Sequence, residues 1–210
     1  MRASQGPMPR EPIASRRRER PDARPTILAD ARALLLEAGD EGFTIRALSE
    51  RCGYTAPTIY HHFRDKVGLI DAVLEEEFRG LVAELAAVAP EAEPLDTVRA
   101  RISFIVDFGL RNPALYRLLA AARPDTSEPV PSAEEARLAF EQPLEKLAAS
   151  GRLRVADVEA VKQVLWVVMH GLIALPSSRP EMEWSPDLTR LSLDTVLRGL
   201  LRPTDPEFAQ

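Results

Sequence analysis

The chain has 210 residues, of which 45% are hydrophobic and 28% charged, and its formal net charge is −5. This size allows one large domain, or a small module joined to a domain with its own core, and the composition excludes a chain that is disordered throughout. Cys52 is the single cysteine and has no intrachain partner, and no run approaches the roughly 18 apolar residues of a membrane span. We therefore expect a cytoplasmic protein without a disulfide framework, a membrane partner or a secretory signal.

Charge is distributed unevenly along the chain. Residues 1–66 contain 12 lysines and arginines against 9 acidic residues, whereas residues 67–210 contain 15 against 23. The positive excess lies in an arginine- and proline-rich arm, residues 1–24, which we expect to be flexible and unfolded in isolation. Such an arm is either a solvated tail or a segment that contacts DNA phosphates.

Three short helices are predicted between residues 26 and 63. The first has apolar residues at helical spacing and ends at Gly39. Thr44 is a good N-cap for the second helix, which ends at Gly53. Because Thr55 can cap the third helix, a tight turn joins the second helix to the third.

A long fourth helix is predicted from Lys66 to about Val88, where an unbroken apolar pattern is suited to connecting two bodies. Further helical segments follow, and no alternating pattern typical of β-strands competes with them. The expected fold class is all-α, with about nine helices. The later segments lie near residues 95–111, 113–122, 132–149, 155–175 and 186–201.

The second and third predicted helices form a helix-turn-helix, whose second helix fits the major groove of DNA. Its outward positions carry hydroxyl, imidazole and phenol groups rather than the Glu/Lys mixture of a merely solvated helix. Arg46 can reach a guanine edge or a phosphate, and Lys66 can hold a phosphate together with the N-terminus of its helix. The candidate DNA-binding residues are Thr44, Arg46, Thr55, Ala56, Pro57, Thr58, Tyr60, His61, His62 and Lys66.

Residues 42–48 (GFTIRAL) and 55–66 (TAPTIYHHFRDK) resemble the DNA-binding module of TetR-type transcriptional regulators. The resemblance is close over residues 25–75 and elsewhere concerns only the helix layout. It implies no base preference, because family members vary at two of the contact positions, Ala56 and His61. It implies contacts with operator DNA at Arg46, Ala56, Pro57, Thr58, Tyr60, His61, His62 and Lys66.

Residues 112–118 (NPALYRL) and 166–171 (WVVMHG) resemble features of one subgroup of these regulators, which has a Trp/His/Gly signature in its C-terminal domain. The resemblance implies a helical domain that binds an effector and dimerises, in which the ligand moves the connecting helix and resets the spacing of two DNA-reading heads. We therefore expect a DNA-binding domain at 25–70, an effector-binding and dimerisation domain at 71–202, and a C-terminal tail at 203–210.

Large or polarisable side chains on the C-terminal helices are candidates for a ligand pocket, although each alone could be a core residue. Trp166 and His170 lie four residues apart, hence on one face, and each needs a hydrogen-bond partner when buried. That partner is either a ligand or a backbone carbonyl. The candidate ligand-binding residues are Phe104, Phe108, Tyr116, Phe140, Trp166, Met169 and His170.

Two amphipathic segments, residues 155–175 and 188–201, are candidates for a homodimer interface. Such stripes are ordinarily intrachain core, but a reader of palindromic DNA needs a twofold partner. The candidate interface residues are Val158, Val161, Leu165, Leu172, Leu191, Val196 and Leu200.

These features predict a repressor that a small apolar or aromatic effector releases from a palindromic, double-stranded operator. The alternative is a ligand-independent DNA-binding activator or architectural protein whose C-terminal half serves only dimerisation. An enzyme is not expected, because no nucleophile stands at a suitable spacing and no Gly-rich phosphate loop occurs. We expect no cofactor and no metal, since His61 and His62 point about 100° apart on a helix and cannot chelate one ion.

Overall fold

A computed structural model describes residues 22–88, 93–121 and 129–203 of the chain. Within these ranges the chain forms nine α-helices and an isolated antiparallel bridge between Leu153 and Leu201, so the all-α prediction is confirmed. The helices are α1 (Ala23–Gly42), α2 (Ile45–Cys52), α3 (Ala56–Phe63), α4 (Lys66–Ala86), α5 (Pro94–Arg111), α6 (Pro113–Ala120), α7 (Pro131–Ala149), α8 (Val158–Ser178) and α9 (Leu188–Leu200).

Local signals explain the turn between α2 and α3. The Thr44 hydroxyl accepts a hydrogen bond from the Ala47 amide at 3.1 Å, as an N-cap should. Gly53 ends α2 in the left-handed region (φ 72°), which glycine adopts without strain. Thr55 occupies the N-cap position of α3 without the predicted capping bond, because its hydroxyl instead lies 3.0 Å from that of Thr58.

α1 begins earlier than predicted. The Asp22 carboxylate accepts a hydrogen bond from the Arg24 amide at 3.2 Å, which satisfies one of the first amides of the helix. Arg24, assigned to the flexible arm, therefore lies in the first turn, with its guanidinium 5.1 Å from the centroid of the Phe63 ring. Regular helix ends at Gly39 (φ 67°, ψ −179°), as predicted, and helical backbone resumes after this kink. The rest of the predicted arm, residues 1–21, lies outside the described residues.

α4 belongs to two hydrophobic cores. Leu69 and Val73, near its start, are buried with residues of α1–α3. Leu81 and Leu85, further along, are buried with residues of α5–α9. The long connecting helix predicted from the sequence thus joins a small N-terminal core to a larger C-terminal one.

A carboxylate on α4 also binds the N-terminus of α7. Glu75 accepts hydrogen bonds from the Ser132 amide at 3.1 Å and from the Ser132 hydroxyl at 2.8 Å. Burial opposes ionisation of Glu75, but these hydrogen bonds and the nearby Arg79 guanidinium outweigh it and lower the pKa of the carboxyl group. The ionised carboxylate also interacts favourably with the dipole of α7.

α8 is the helix, among those described, that is long and apolar enough to cross a membrane by length and composition. The expectation that no segment approaches such a span is therefore wrong for α8. Only 28% of its most apolar window is buried inside the protomer, although the helix packs against α5, α7 and α9. Its apolar residues occupy both sides of the helix, so they do not form the one-sided stripe of an ordinary surface helix.

Gly109 permits close contact between α5 and α8. A Cβ atom at this position would lie 2.7 Å from Cγ2 of Ile173, which is fully buried.

We predict that Gly109→Ala destabilises the protein by about 1–3 kcal/mol through overpacking. Gly80→Ala on α4 is the matched control: its Cβ meets no atom within 4 Å, and the change should stabilise the helix by about 0.5–1 kcal/mol. Urea unfolding measures both, and equal effects would contradict the contact.

Candidate nucleic-acid interface and ligand cavity

The helix-turn-helix places its polar residues on one accessible surface. Ile59 and Phe63 are buried and fix α3 to the N-terminal core, so Tyr60 and His61 of the same helix are exposed. His62, between the two faces, is partly buried. The remaining predicted DNA-binding residues are exposed or partly exposed: Thr44, Arg46, Thr55, Ala56, Pro57, Thr58 and Lys66.

Two cations border this surface. The Arg46 side chain is 89% exposed, and its Nε lies 3.1 Å from an Oε1 of Glu50. Such an exposed pair contributes little to stability, so Arg46 can exchange Glu50 for a phosphate or a base. The ammonium of Lys66 lies 5.6 Å from the centroid of the Phe43 ring. Asp65 accepts a hydrogen bond from the Gly68 amide in the first turn of α4, so this amide is not available to a phosphate bound by the Lys66 ammonium.

The two histidines of α3 do not belong to a metal-binding cluster among the described residues. The His61 and His62 rings are 5.4 Å apart at their centroids and 72° apart in plane. Over residues 22–88, 93–121 and 129–203, no group of three or more His, Cys, Asp or Glu side chains could hold an ion. Cys52 is partly buried and packs against the N-terminal core, as expected for a small hydrophobic residue.

The C-terminal domain contains a partly open cavity of about 700 Å³, bounded by α4, α5, α6, α7 and α8. Its wall is mostly apolar, and α4 contributes Phe78 and Leu81. Phe104 is not part of the wall, contrary to its prediction. It is partly buried against the C-terminal core, about 100° around α5 from Ile105, which lines the cavity. The other predicted ligand-binding residues line the cavity: Phe108, Tyr116, Phe140, Trp166, Met169 and His170.

A hydrogen-bonded pair of aromatic side chains forms one polar part of this wall. The Tyr116 hydroxyl bonds to Nδ1 of His170, so the partner of this imidazole is a side chain and not the ligand or backbone carbonyl expected from the sequence. Burial raises the pKa of Tyr116 to about 12 and lowers the pKa of His170 below its ordinary value. Both shifts favour a neutral pair in which the phenol donates to the imidazole. Trp166 remains 62% exposed, with its ring 5.1 Å from that of His170.

Charged residues in the wall were not predicted from the sequence. Lys162 lies 2.9 Å from an oxygen of Glu141, and Arg137 also pairs with Glu141. Arg101 has no carboxylate partner in the described part of the chain: it donates from Nη1 to the Ala139 carbonyl, and its Nε is buried without a hydrogen bond. Burial lowers the pKa of this guanidinium.

The predicted dimer-interface stripe lies at the wrong angle around α8. Val161 and Leu165 on α8 and Leu200 on α9 are buried in the core of the protomer and cannot face a partner. Leu172 is also buried, but it borders the shallow groove between α8 and α9. The sequence pattern could not separate the two sides of α8, because both are apolar. Of the other predicted residues, Val158 and Val196 are partly buried and Leu191 is exposed.

The exposed apolar residues of α8 lie on its opposite side. Val164, Val167 and Leu175 are all exposed, and Val167 is 70% accessible. A shallow groove between α8 and α9 continues this surface through Val168 and Leu191. We refer to this surface as the α8–α9 face, and its residues are Val164, Val167, Val168, Gly171, Leu175, Leu188, Leu191, Ser192, Thr195 and Val196.

The neutral state of His170 gives stability a pH dependence. Its pKa in the folded protein is below the ordinary 6.5, so the unfolded chain binds this proton more readily. The associated stability is complete above pH 6.5 and is lost as the pH falls toward the folded pKa. We predict that His170→Gln reduces the fall in Tm between about pH 7.5 and about pH 5. An unchanged fall in the variant would contradict the assignment.

Two family models match the chain. The first, described as "Bacterial regulatory proteins, tetR family", matches residues 27–73. The second, described as "Tetracyclin repressor-like, C-terminal domain", matches residues 98–200. The first match contains the helix-turn-helix, and the second contains most of the cavity wall.

Individual transcriptional repressors and a solved structure are also similar to this chain. The HTH-type transcriptional repressor AcnR of Corynebacterium efficiens is 28% identical over 192 residues, which cover 87% of this chain and 94% of that protein. The tetracycline repressor protein class A from transposon 1721 of Escherichia coli is 46% identical over 50 residues, 24% of this chain and 23% of that repressor. A solved structure of a protein with unknown function from Rhodococcus sp. RHA1 shares the fold, with a TM-score of 0.71 and 24% identity over 89% of this chain and 100% of that one.

Proposed function

The chain belongs to the tetR family of bacterial regulatory proteins, and we propose that it represses transcription as a cytoplasmic homodimer bound to a palindromic operator. A small molecule that binds in the cavity then releases the repressor from the DNA. Residues 25–70 form the DNA-binding domain in this proposal, and residues 71–202 bind the effector and form the dimer. An enzyme is excluded by family membership.

The position of α4 carries the proposal. Phe78 and Leu81 of this helix line the cavity, while Leu69 and Val73 pack beneath the DNA-binding surface. A ligand that changes the packing around Phe78 therefore acts on the helix that orients α3. The ligand weakens DNA binding if it binds more tightly to a conformer in which the spacing of the two DNA-binding domains does not match the operator. The free energy lost in DNA binding then equals the coupling free energy between the ligand site and the DNA site.

The contact between Glu75 and Ser132 extends this connection. This contact holds α4 against the first turn of α7. Further along, α7 contributes Ala136 and Phe140 to the cavity wall. Displacement of α7 by a ligand is thus transmitted to α4 through a charged hydrogen bond as well as through apolar packing. The ligand-independent alternative is not favoured, because it gives the mostly apolar cavity of about 700 Å³ no role.

A second copy of the chain is the proposed occupant of the α8–α9 face. α8 is apolar on both sides, and the protomer covers only one of them. A surface of this kind is unfavourable in water unless another apolar surface covers it. Twofold packing of α8 and α9 against the same helices of a partner would bury it and would supply the symmetry that a palindromic operator requires.

The subgroup with a Trp/His/Gly signature is also part of the proposal. Trp166 and His170 lie in the cavity wall, and His170 bonds to Tyr116 of the other similar stretch. Gly171, the next residue of the signature, lies on the opposite side, in the α8–α9 face. The signature would therefore join the effector cavity to the dimer interface within two turns of α8.

The operator can be found by selection. The purified protein is incubated with random duplex DNA at near-physiological salt, and the bound duplexes are sequenced. Enrichment of a palindrome is expected, because two α3 helices related by a twofold axis read the same sequence on opposite strands. Binding that is salt-sensitive but without sequence preference would contradict the proposal.

Substitutions in the DNA-binding surface should weaken operator binding without unfolding the protein. We predict that Arg46→Ala costs about 1–3 kcal/mol of binding and relaxes the preference at one base pair, and that Lys66→Ala lowers the salt slope by about 1. Tyr60→Phe should also weaken binding. Arg111→Ala, an exposed arginine at the end of α5, is the control and should change nothing. A large loss of Tm in the Tyr60 or Lys66 variant would show that these side chains stabilise the fold, and would contradict the prediction that they act in DNA binding alone.

A charge on the α8–α9 face should prevent dimerisation. We predict that Val167→Glu gives a monomer by sedimentation equilibrium, because it would bury an unpaired carboxylate in the interface. Leu138→Glu is the matched control, since Leu138 is also an exposed large hydrophobic residue but lies on α7. A dimer that tolerates Val167→Glu, or a wild-type monomer, would contradict the proposed interface.

A further inference from the structure

The charges in the cavity wall do not balance. Three cationic side chains, Arg101, Arg137 and Lys162, line the cavity together with two carboxylates, Glu141 and Glu159. Arg137 and Lys162 both form ion pairs with Glu141, and Lys162 lies 3.8 Å from Glu159. Arg101 is the cation that no carboxylate of the described residues neutralises. Glu134 and Glu145 also pair with Arg137 and Lys162, so the positive charge that lacks an acidic partner among the described residues is that of Arg101.

A proline in α7 explains why this guanidinium is held in the wall. Pro143 lies inside the helix and has no N–H, so it cannot donate to the carbonyl of Ala139, four residues earlier. Nη1 of Arg101 donates to that carbonyl instead. One side of the guanidinium is thereby anchored to the backbone, while its Nε is buried and has no partner.

This arrangement is unfavourable without a ligand and favours an anion. The guanidinium is partly buried, and this burial without a counterion disfavours its charged form. Because Nε is itself inaccessible, the donors left for a ligand are those on Nη1 and Nη2. The neutral Tyr116–His170 pair supplies no negative charge. A carboxylate can accept two parallel hydrogen bonds from one guanidinium, which is the strongest neutral-pH partner available to an arginine side chain.

We propose that the cavity binds an amphipathic carboxylate, with its carboxylate on Arg101 and its apolar body against residues such as Phe78, Ile105 and Phe140. The inference rests on the proposed function and names the chemical class of its effector. A single negative charge matches the single uncompensated cation. A phosphate monoester, which carries more charge, would need a second such cation, and Arg137 and Lys162 are already paired.

Matched probe pairs test the inference by titration calorimetry at pH 7. Decanoate is compared with decanamide, and 2-naphthoate with 2-naphthamide, so that each pair differs mainly in charge. In at least one pair the carboxylate should bind about tenfold more tightly than the amide, the effect of one charge-assisted hydrogen bond. Arg101→Gln should abolish this preference and leave the affinity for the amide within about twofold, because the apolar contacts remain.

Two further variants separate binding from structure. Arg101→Lys keeps the charge and should retain part of the preference, whereas Arg111→Gln, on the same helix but outside the cavity, should retain all of it. Equal affinities within both pairs, no binding of either carboxylate, or an equal loss for both members of a pair in Arg101→Gln would each overturn the inference.

Operator binding distinguishes this inference from the proposed function. A neutral compound that binds the cavity and releases the operator would overturn the anion site and support the repressor mechanism. A carboxylate that binds through Arg101 but leaves the operator affinity unchanged would support the anion site and contradict the mechanism. Decyl phosphate, a phosphate monoester, serves as an additional probe, and tighter binding of this phosphate than of decanoate would overturn the choice of a carboxylate.

Discussion

One continuous helix, α4, has to satisfy two hydrophobic cores at once. Burial of Leu69 in the first core and of Leu85 in the second is worth about 1.5–3 kcal/mol for each side chain, so neither end can leave its core without a large loss of stability. Between them, Glu75 fixes the helix to Ser132 at the start of α7. Close-packed contacts of this kind allow a few discrete arrangements rather than continuous bending. We propose that a change in the C-terminal packing is transmitted through α4 to the position of α3.

The C-terminal domain is built to accept such a change, because its core is incomplete. A cavity of about 700 Å³ replaces side chains that would otherwise fill the space between its helices. Arg101 in the cavity wall has an Nε without a partner, and its Nη1 bonds to the Ala139 carbonyl that Pro143 leaves free. Both are features that a domain optimised only for stability would lack. In this view the effector completes both the apolar core and the charge balance, and α4 responds because it forms part of the cavity wall.

The helix-turn-helix could be predicted in detail because its signals are local. The N-cap at Thr44 and the left-handed turn at Gly53 depend on neighbours in the chain, and the resemblance of the surrounding residues to a known module supplied the contact positions. Arg101 could not be predicted, since its partner is a carbonyl 38 residues away, and the only sequence signal was a proline four residues after that carbonyl. The interface stripe was misplaced on α8 because hydrophobicity on both sides leaves the phase undetermined: Leu165 is buried, whereas Val167 is exposed.

The coupling between cavity and operator is tested most directly by measuring one free energy in two ways. The affinity for the selected operator is determined with and without a saturating cavity ligand, and the affinity for that ligand is determined with and without the operator. If α4 connects the two sites, the operator weakens ligand binding by the same factor by which the ligand weakens operator binding. Ligand binding that leaves operator affinity unchanged would show that the cavity and the DNA-binding surface are independent.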